Sequence, residues 1–234
     1  MSMYQLVSES AHFVVIDKAA GSSFHSEQGQ PGLAEQLKQD LGGAPLYPVH
    51  RLDRMTSGLL VFARTLDVAQ ELNEQFRSRQ VEKFYLALSS RKPAKKQGLV
   101  CGDMVKGRRG SWRLLNSREN PASTRFFSQS VEPGLRLFLL RPVTGKTHQL
   151  RVAMKSLGAP IIGDLRYGSA GQGDTDRGYL HAFALAFRCN GESQTFICPP
   201  VQGELFGRPS VQSAVRHYRD PWALNWPVDK AGGR

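Results

Sequence analysis

The stretch Glu82-Lys83-Phe84-Tyr85-Leu86-Ala87-Leu88-Ser89 alternates with the period of an extended chain. Phe84, Leu86 and Leu88 fall on one face and Lys83, Tyr85 and Ala87 on the other, which predicts a half-buried strand. Working upstream, Val68, Leu72 and Phe76 recur at helical spacing and predict an amphipathic helix over 67–79. Residues 58–63 and 13–16 are short apolar runs bounded by turn residues and read as buried strands. Between them, Leu33, Leu37 and Leu41 predict a helix over 31–41, with Pro31 at its first position and Gly42-Gly43 as its stop. Downstream, the basic stretch 91–118 has the glycines and turn residues of hairpins, 135–140 and 179–188 read as strands, and 194–197 as a neighbour of the latter. Leu150, Ala153, Met154 and Leu157 predict a helix over 147–157 that Gly158 ends. Many strands with scattered single helices, and no regular strand–helix alternation, predict an α+β fold.

Composition narrows the function. The 234 residues are 40% hydrophobic and 22% charged, the balance of a folded globular chain, long enough to bury a core without staples. The longest apolar run, Leu59-Leu60-Val61-Phe62-Ala63, is far below the roughly 20 residues of a membrane helix. The first residues show neither the basic stretch nor the apolar segment of a signal peptide. Cys101, Cys189 and Cys198 are odd in number and not spaced for disulfides or zinc, so the expected setting is a reducing cytoplasm. The net charge is +11, and it is uneven: the first 50 residues are net acidic, whereas 77–118 hold twelve basic residues against Glu82 and Asp103. Such a block is either a solvated face or a surface for phosphates. Its placement on loops and short strands favours nucleic acid over a membrane.

Two polar clusters lie beside turns. In His50-Arg51-Leu52-Asp53-Arg54-Met55-Thr56-Ser57-Gly58, Arg51 and Arg54 bracket Asp53 and should keep its carboxylate ionised. An anionic Asp in such a turn suits a nucleophile or a stabiliser of developing positive charge, and equally a loop ion-pair network. The second cluster, Arg141-Pro142-Val143-Thr144-Gly145-Lys146-Thr147-His148-Gln149-Leu150-Arg151, invites a phosphate-loop reading. That pattern needs glycine at position 140, which is Leu, so it fails. What remains is a helix start capped by Thr147, an expected anion site with Lys146 and Arg141. Arg151 lies at the edge of the apolar stripe, where an arginine pairs with a carboxylate or snorkels. His50, His148 and His181 are too far apart in sequence to signal a metal and read as structural.

Taken together, these segments resemble the RNA pseudouridine synthases of the RluA type. The resemblance rests on His50-Arg51-Leu52-Asp53-Arg54-x-Thr56-Ser57-Gly58, then Glu82-Lys83-x-Tyr85-x-Ala87, then Thr144 through Arg151, then Gly163-Asp164 and Leu180-His181-Ala182, in that order over residues 13–200. It implies a bent, mainly antiparallel mixed sheet flanked by helices and loops around a basic catalytic cleft. It implies catalytic roles for Asp53 as nucleophile or base, for Tyr85, which stacks on the base and can take the uracil C5 proton, and for Arg151 as partner of the Asp53 carboxylate. Arg54 is similar to the family's arginine that displaces the target nucleotide. RNA is the implied partner, with Arg51, Arg54, Lys83, Lys146, His148, Lys92, Lys95, Lys96, Arg108 and Arg109 as candidate contacts. No metal and no cofactor are implied.

Three positions depart from the family pattern: Met55, the Lys18-Ala19-Ala20-Gly21 segment without its usual proline, and Lys146 in place of a common arginine. The expected product is a single monomeric catalytic domain over 1–234, without an S4-type RNA-binding domain, and with 205–234 an extension of unknown role. A catalytically silent RNA-binding protein on the same scaffold is the alternative. A hydrolase acting through Asp53 lacks the second carboxylate such chemistry wants.

Overall fold

The structure, a computed structural model, describes residues 2–26, 29, 31–168 and 175–228. It divides into two compact units, residues 1–83 with 181–202 and residues 84–180 with 203–234.

The first unit contains β1 (Tyr4–Glu9), β2 (Phe13–Lys18), α1 (Leu33–Asp40), β3 (Tyr47–Pro48), β4 (Ser57–Ala63), α2 (Leu66–Arg77), β10 (Leu180–Cys189) and β11 (Glu192–Ile197). Strands run in the order β1-β2-β4-β10, with β11 also on β10 and β3 on β4. All pairs are antiparallel except β4 with β10, which run parallel through Ser57↔His181 and Ala182↔Gly58. β2 and β4 are buried at every position, as continuous apolar runs require. Val15, Leu59, Val61, Leu72, Leu185 and Phe187 form the core under α2. Thr65 caps α2 by accepting from Val68 N–H, so the helix begins one residue earlier than the sequence spacing suggests and ends two residues earlier, at Arg77. α1 begins at Leu33 with Gly32 as its cap, leaving Pro31 outside.

The second unit contains β6 (Gln97–Lys106), β7 (Trp112–Leu114), β8 (Pro121–Glu132), β9 (Leu135–Pro142), α3 (Gln149–Ser156) and α4 (Pro209–Arg216), together with most of β5 (Glu82–Ser89). Its strand order is β5-β9-β8-β6-β7, antiparallel throughout. β5 has the predicted bounds, with Phe84, Leu86 and Leu88 fully buried. Residues up to 228 of the expected C-terminal extension are packed here, while 229–234 lie outside the described residues. α4 buries Val211 and Val215, and Trp226 packs against Phe84 and Phe127 with its indole N–H on Pro221 O.

The fold is α+β with a mainly antiparallel mixed arrangement, as the sequence indicates. Two expectations fail locally. α3 starts at Gln149, and its cap is His148, in a left-handed conformation (φ 57°) with no side-chain capping bond. Thr147 therefore caps nothing. The Arg141 guanidinium lies over the Phe84 and Trp226 rings, and Lys146 Nζ donates to Asn120 O. The helix start is organised instead by Gln149, whose Oε1 accepts from Thr144 Oγ1 and Lys146 N–H. β1, β3 and β8 were not expected as strands.

Candidate active site

The candidate residues fall into two groups, one in each unit.

In the first unit, Asp53 sits in the loop between β3 and β4, half-buried, with Leu52 buried before it and Arg51 and Arg54 exposed. Three devices hold this loop. A turn bond runs from Thr56 N–H to Asp53 O. Gly21 N–H donates to Arg54 O while Arg54 Nε returns to Gly21 O at 3.0 Å. The strongest device is Lys18, at the end of β2 and fully buried. Its ammonium donates to the carbonyls of Ala19 (2.9 Å), Arg54 (3.2 Å) and Thr56 (2.8 Å). An ammonium has three protons and no acceptor, so it matches this nest of carbonyls. The lysine thus grips the chain just after Asp53 from a neighbouring strand, which the sequence could not reveal because its partners are backbone atoms.

The loop ends at Gly58. Its φ of +106° suits glycine, and a Cβ there would stand 2.3 Å from Ala182 O, so β4 and β10 meet through bare backbone. Beside it, Ser57 Oγ and His181 Nδ1 are 2.8 Å apart, and His181 Nε2 is 2.7 Å from Cys198 O. A carbonyl only accepts, so Nε2 carries the ring proton and Nδ1 accepts from Ser57. Asp17, His181 and Cys198 place donor atoms within 4.8 Å of one another. With His181 committed and the Cys198 thiol pushed up to about 12 by burial and by Asp17, this cluster is a hydrogen-bonded seam. His50 is structural in the same sense. Its Nε2 accepts from Val61 N–H, which continues the edge of β4 where β3 leaves it, and its ring stacks on Phe76. Loss of hydration, then the charge of Lys83, pushes its pKa to about 3, so it stays neutral. Lys83 lies over the Phe76 ring at 5.2 Å, with burial lowering its pKa, and is drawn inward more than a phosphate contact requires.

In the second unit, Tyr85 is half-exposed on the β5 face opposite Phe84 and Leu86, across from Leu140 of β9. Arg151, buried on α3, forms a bidentate pair with Asp164: Nε to Oδ2 and Nη2 to Oδ1, both 2.8 Å. Sequence reading gave Gly163-Asp164 as a motif and missed this partnership. Burial alone would raise the Asp164 carboxyl. The bonds and charge of Arg151, with the N–H groups of Tyr167 and Arg166, outweigh it and hold the group below the usual carboxylate range. A folded pKa below the unfolded one adds stability at neutral pH that is lost as pH falls through the folded value. The expected result is that the urea midpoint of the wild type exceeds that of Asp164→Asn at pH 7, and that the gap narrows below about pH 4. A gap independent of pH would show that the carboxylate's charge contributes nothing. His148 Nδ1 lies 2.9 Å from Tyr167 Oη. Lys92, Lys95, Lys96, Arg108 and Arg109 are all exposed.

The first unit thus carries an aspartate loop braced by a buried lysine, and the second a buried arginine oriented by a carboxylate. Residues 12–156 match the RNA pseudouridylate synthase family, and the chain belongs to it. The chain is 46% identical to an uncharacterized RNA pseudouridine synthase of Haemophilus influenzae over 92% of its own length and 95% of that protein's. It is 33% identical to ribosomal large subunit pseudouridine synthase C of Vibrio parahaemolyticus, over 79% of this chain and 61% of that longer one. Among solved structures, human RNA Pseudouridylate Synthase Domain Containing 1 superposes with a TM-score of 0.73 at 27% identity, covering 84% of this chain and 83% of that one. Members of this family are isomerases that act on RNA. No helix among the described residues is long and apolar enough to cross a membrane.

Proposed function

We propose that the protein converts specific uridines of ribosomal or transfer RNA to pseudouridine, with Asp53 as its catalytic carboxylate. The family membership carries this reading, and the bracing of the Asp53 loop by Lys18 supports the assignment of the residue. In the reaction the N1–C1′ bond breaks with its electron pair left on uracil N1, the freed uracil turns, C5 bonds to C1′, C5 loses its proton and N1 takes one up, so the product is an isomer of the substrate and nothing is oxidised. Asp53 attacks C1′ or takes the C2′ proton, and in either case meets positive charge developing on the sugar. Tyr85, whose ring is half-exposed beside a buried face, stacks on the base and receives the C5 proton. Arg151, held rigid by Asp164, supplies positive charge to the reacting carboxylate. Arg54 takes the place of the flipped nucleotide, since a paired uridine cannot otherwise reach a pocket. Arg51, Lys92, Lys95, Lys96, Arg108, Arg109, Lys146 and His148 hold phosphates, with Lys83 the weakest member because it is drawn inward. The chemistry calls for no metal or cofactor, and the working form is a cytoplasmic monomer.

The test is tritium release from [5-³H]uridine-labelled ribosomal and transfer RNA taken from cells lacking this gene. Release from one RNA and not the other supports the reading and names the substrate class. Release from neither removes it, and leaves the silent RNA-binding scaffold.

A further inference from the structure

The second unit contains a connection that the roles above leave unused. The β6–β7 hairpin carries exposed Lys106, Arg108, Arg109 and Arg113 at and beside its turn, and it is tied down at two points. Trp112 N–H donates to Tyr167 Oη at 2.8 Å, and the Arg166 guanidinium donates to Arg109 O. Arg166 passes close to Gly110, where a Cβ would stand 2.9 Å from Arg166 Nη1. Both anchors belong to the turn that orients Arg151. Asp164 Oδ1 accepts from Arg166 N–H (2.9 Å), from Tyr167 N–H (3.0 Å) and from Arg151 Nη2 (2.8 Å). Tyr167 is itself buried, with the Arg151 guanidinium 5.0 Å above its ring and its hydroxyl 2.9 Å from His148, the cap of α3. One side chain therefore touches the hairpin backbone, the helix start and the arginine.

We propose that Tyr167 is a positioning residue that couples the basic β6–β7 turn to Arg151, so that RNA phosphates seated on the turn set the arginine for reaction. A hairpin whose only task was to add charge needs no buried hydroxyl linking it to the helix that carries Arg151. Phosphates gathered by Arg108 and Arg109 pull on the backbone of Arg109 and Trp112, and both ties pass that pull to the Asp164 turn. Discrimination against poorly seated RNA follows, because an occupied turn tightens the ties that hold the arginine through Asp164.

This inference rests on the function proposed above, and the experiment separates the two. Single-turnover tritium release and filter binding are measured on the same labelled RNA for the wild type, Tyr167→Phe, the pair Arg108→Ala with Arg109→Asn, and all three changes together. Phenylalanine keeps the ring under Arg151 and removes only the hydroxyl; asparagine tolerates the left-handed backbone of Arg109 (φ 53°). Tyr167→Phe is expected to lower the rate at saturating RNA about tenfold with binding changed less than about twofold. The arginine pair should weaken binding about tenfold and lower the saturating rate about fivefold. Coupling predicts that the triple variant is no slower than Tyr167→Phe alone. Arg166→Ala, on the surface, cuts the second tie without touching the core and should show the same non-additivity if Tyr167→Phe folds poorly. Rate losses that multiply, or a wild-type rate for Tyr167→Phe, overturn the coupling. An inactive wild type overturns the function instead.

Discussion

Asp53→Asn is expected to abolish tritium release, with a loss of more than about a thousandfold, while the protein remains folded and binds RNA. The substitution keeps the shape and the backbone bond from Thr56 N–H to Asp53 O, and the side chain is only half-buried in its loop. What it removes is the negative charge that the proposed role requires, to attack the sugar or to face its developing positive charge. A melting temperature within about 2 °C of the wild type should accompany the loss, since change at such a position is worth a fraction of a kcal/mol. Retained turnover would move the catalytic role to another residue and leave Asp53 as a loop ion pair.

Lys18→Met produces the second large effect, of a different kind. Methionine matches the length of the lysine stem but donates nothing, so the carbonyls of Ala19, Arg54 and Thr56 lose their shared donor inside the protein. Arg54 O keeps its bond from Gly21 N–H, which limits the damage. The expected cost is about 3 kcal/mol, as for breaking a buried network around a charge. In a chain of this size that lowers the melting point by about 10 °C. Activity at a temperature where the variant is fully folded should fall about a hundredfold, because a catalytic group displaced by an ångström loses that much. Unchanged melting together with unchanged turnover would mean that the loop is held by its turn bonds alone. The two variants are distinguishable by design: one is folded and inert, the other unstable and slow.

The strands carried by strong apolar residues could be read from the sequence, and those without them could not. β5 appears with its bounds intact because Phe84, Leu86 and Leu88 alternate cleanly. β8 has the same two-residue burial rhythm, yet its inward positions begin with Ala122, Thr124, Phe126 and Ser128, three of which give no hydrophobic signal. β1 lies at an edge with most of its residues exposed, and β3 has only two residues. The start of α3 was misplaced because Thr147 is a good cap by type, whereas the chain enters the helix through a left-handed histidine. Asp53, Tyr85 and Arg151, the catalytic residues proposed above, stand out in the sequence as residues and through a resemblance. Their supports do not. The Arg151–Asp164 pair spans a loop with no periodicity, and Lys18 acts on carbonyls that every residue possesses.

The parallel contact of β4 with β10 also governs when the protein comes to exist as an enzyme. Ser57 and Gly58, which end the Asp53 loop, find their neighbours in His181 and Ala182, more than a hundred residues later in the chain. A ribosome that has finished β4 has made the aspartate but not the strand against which its loop is closed. Chains emerge at about 5–20 residues per second, so the gap lasts on the order of ten seconds. Through that interval the nascent chain holds an incomplete loop, and a truncated product ending before β10 should bind RNA through its basic hairpin without modifying it. The order of synthesis thus makes catalytic competence one of the last properties the chain acquires.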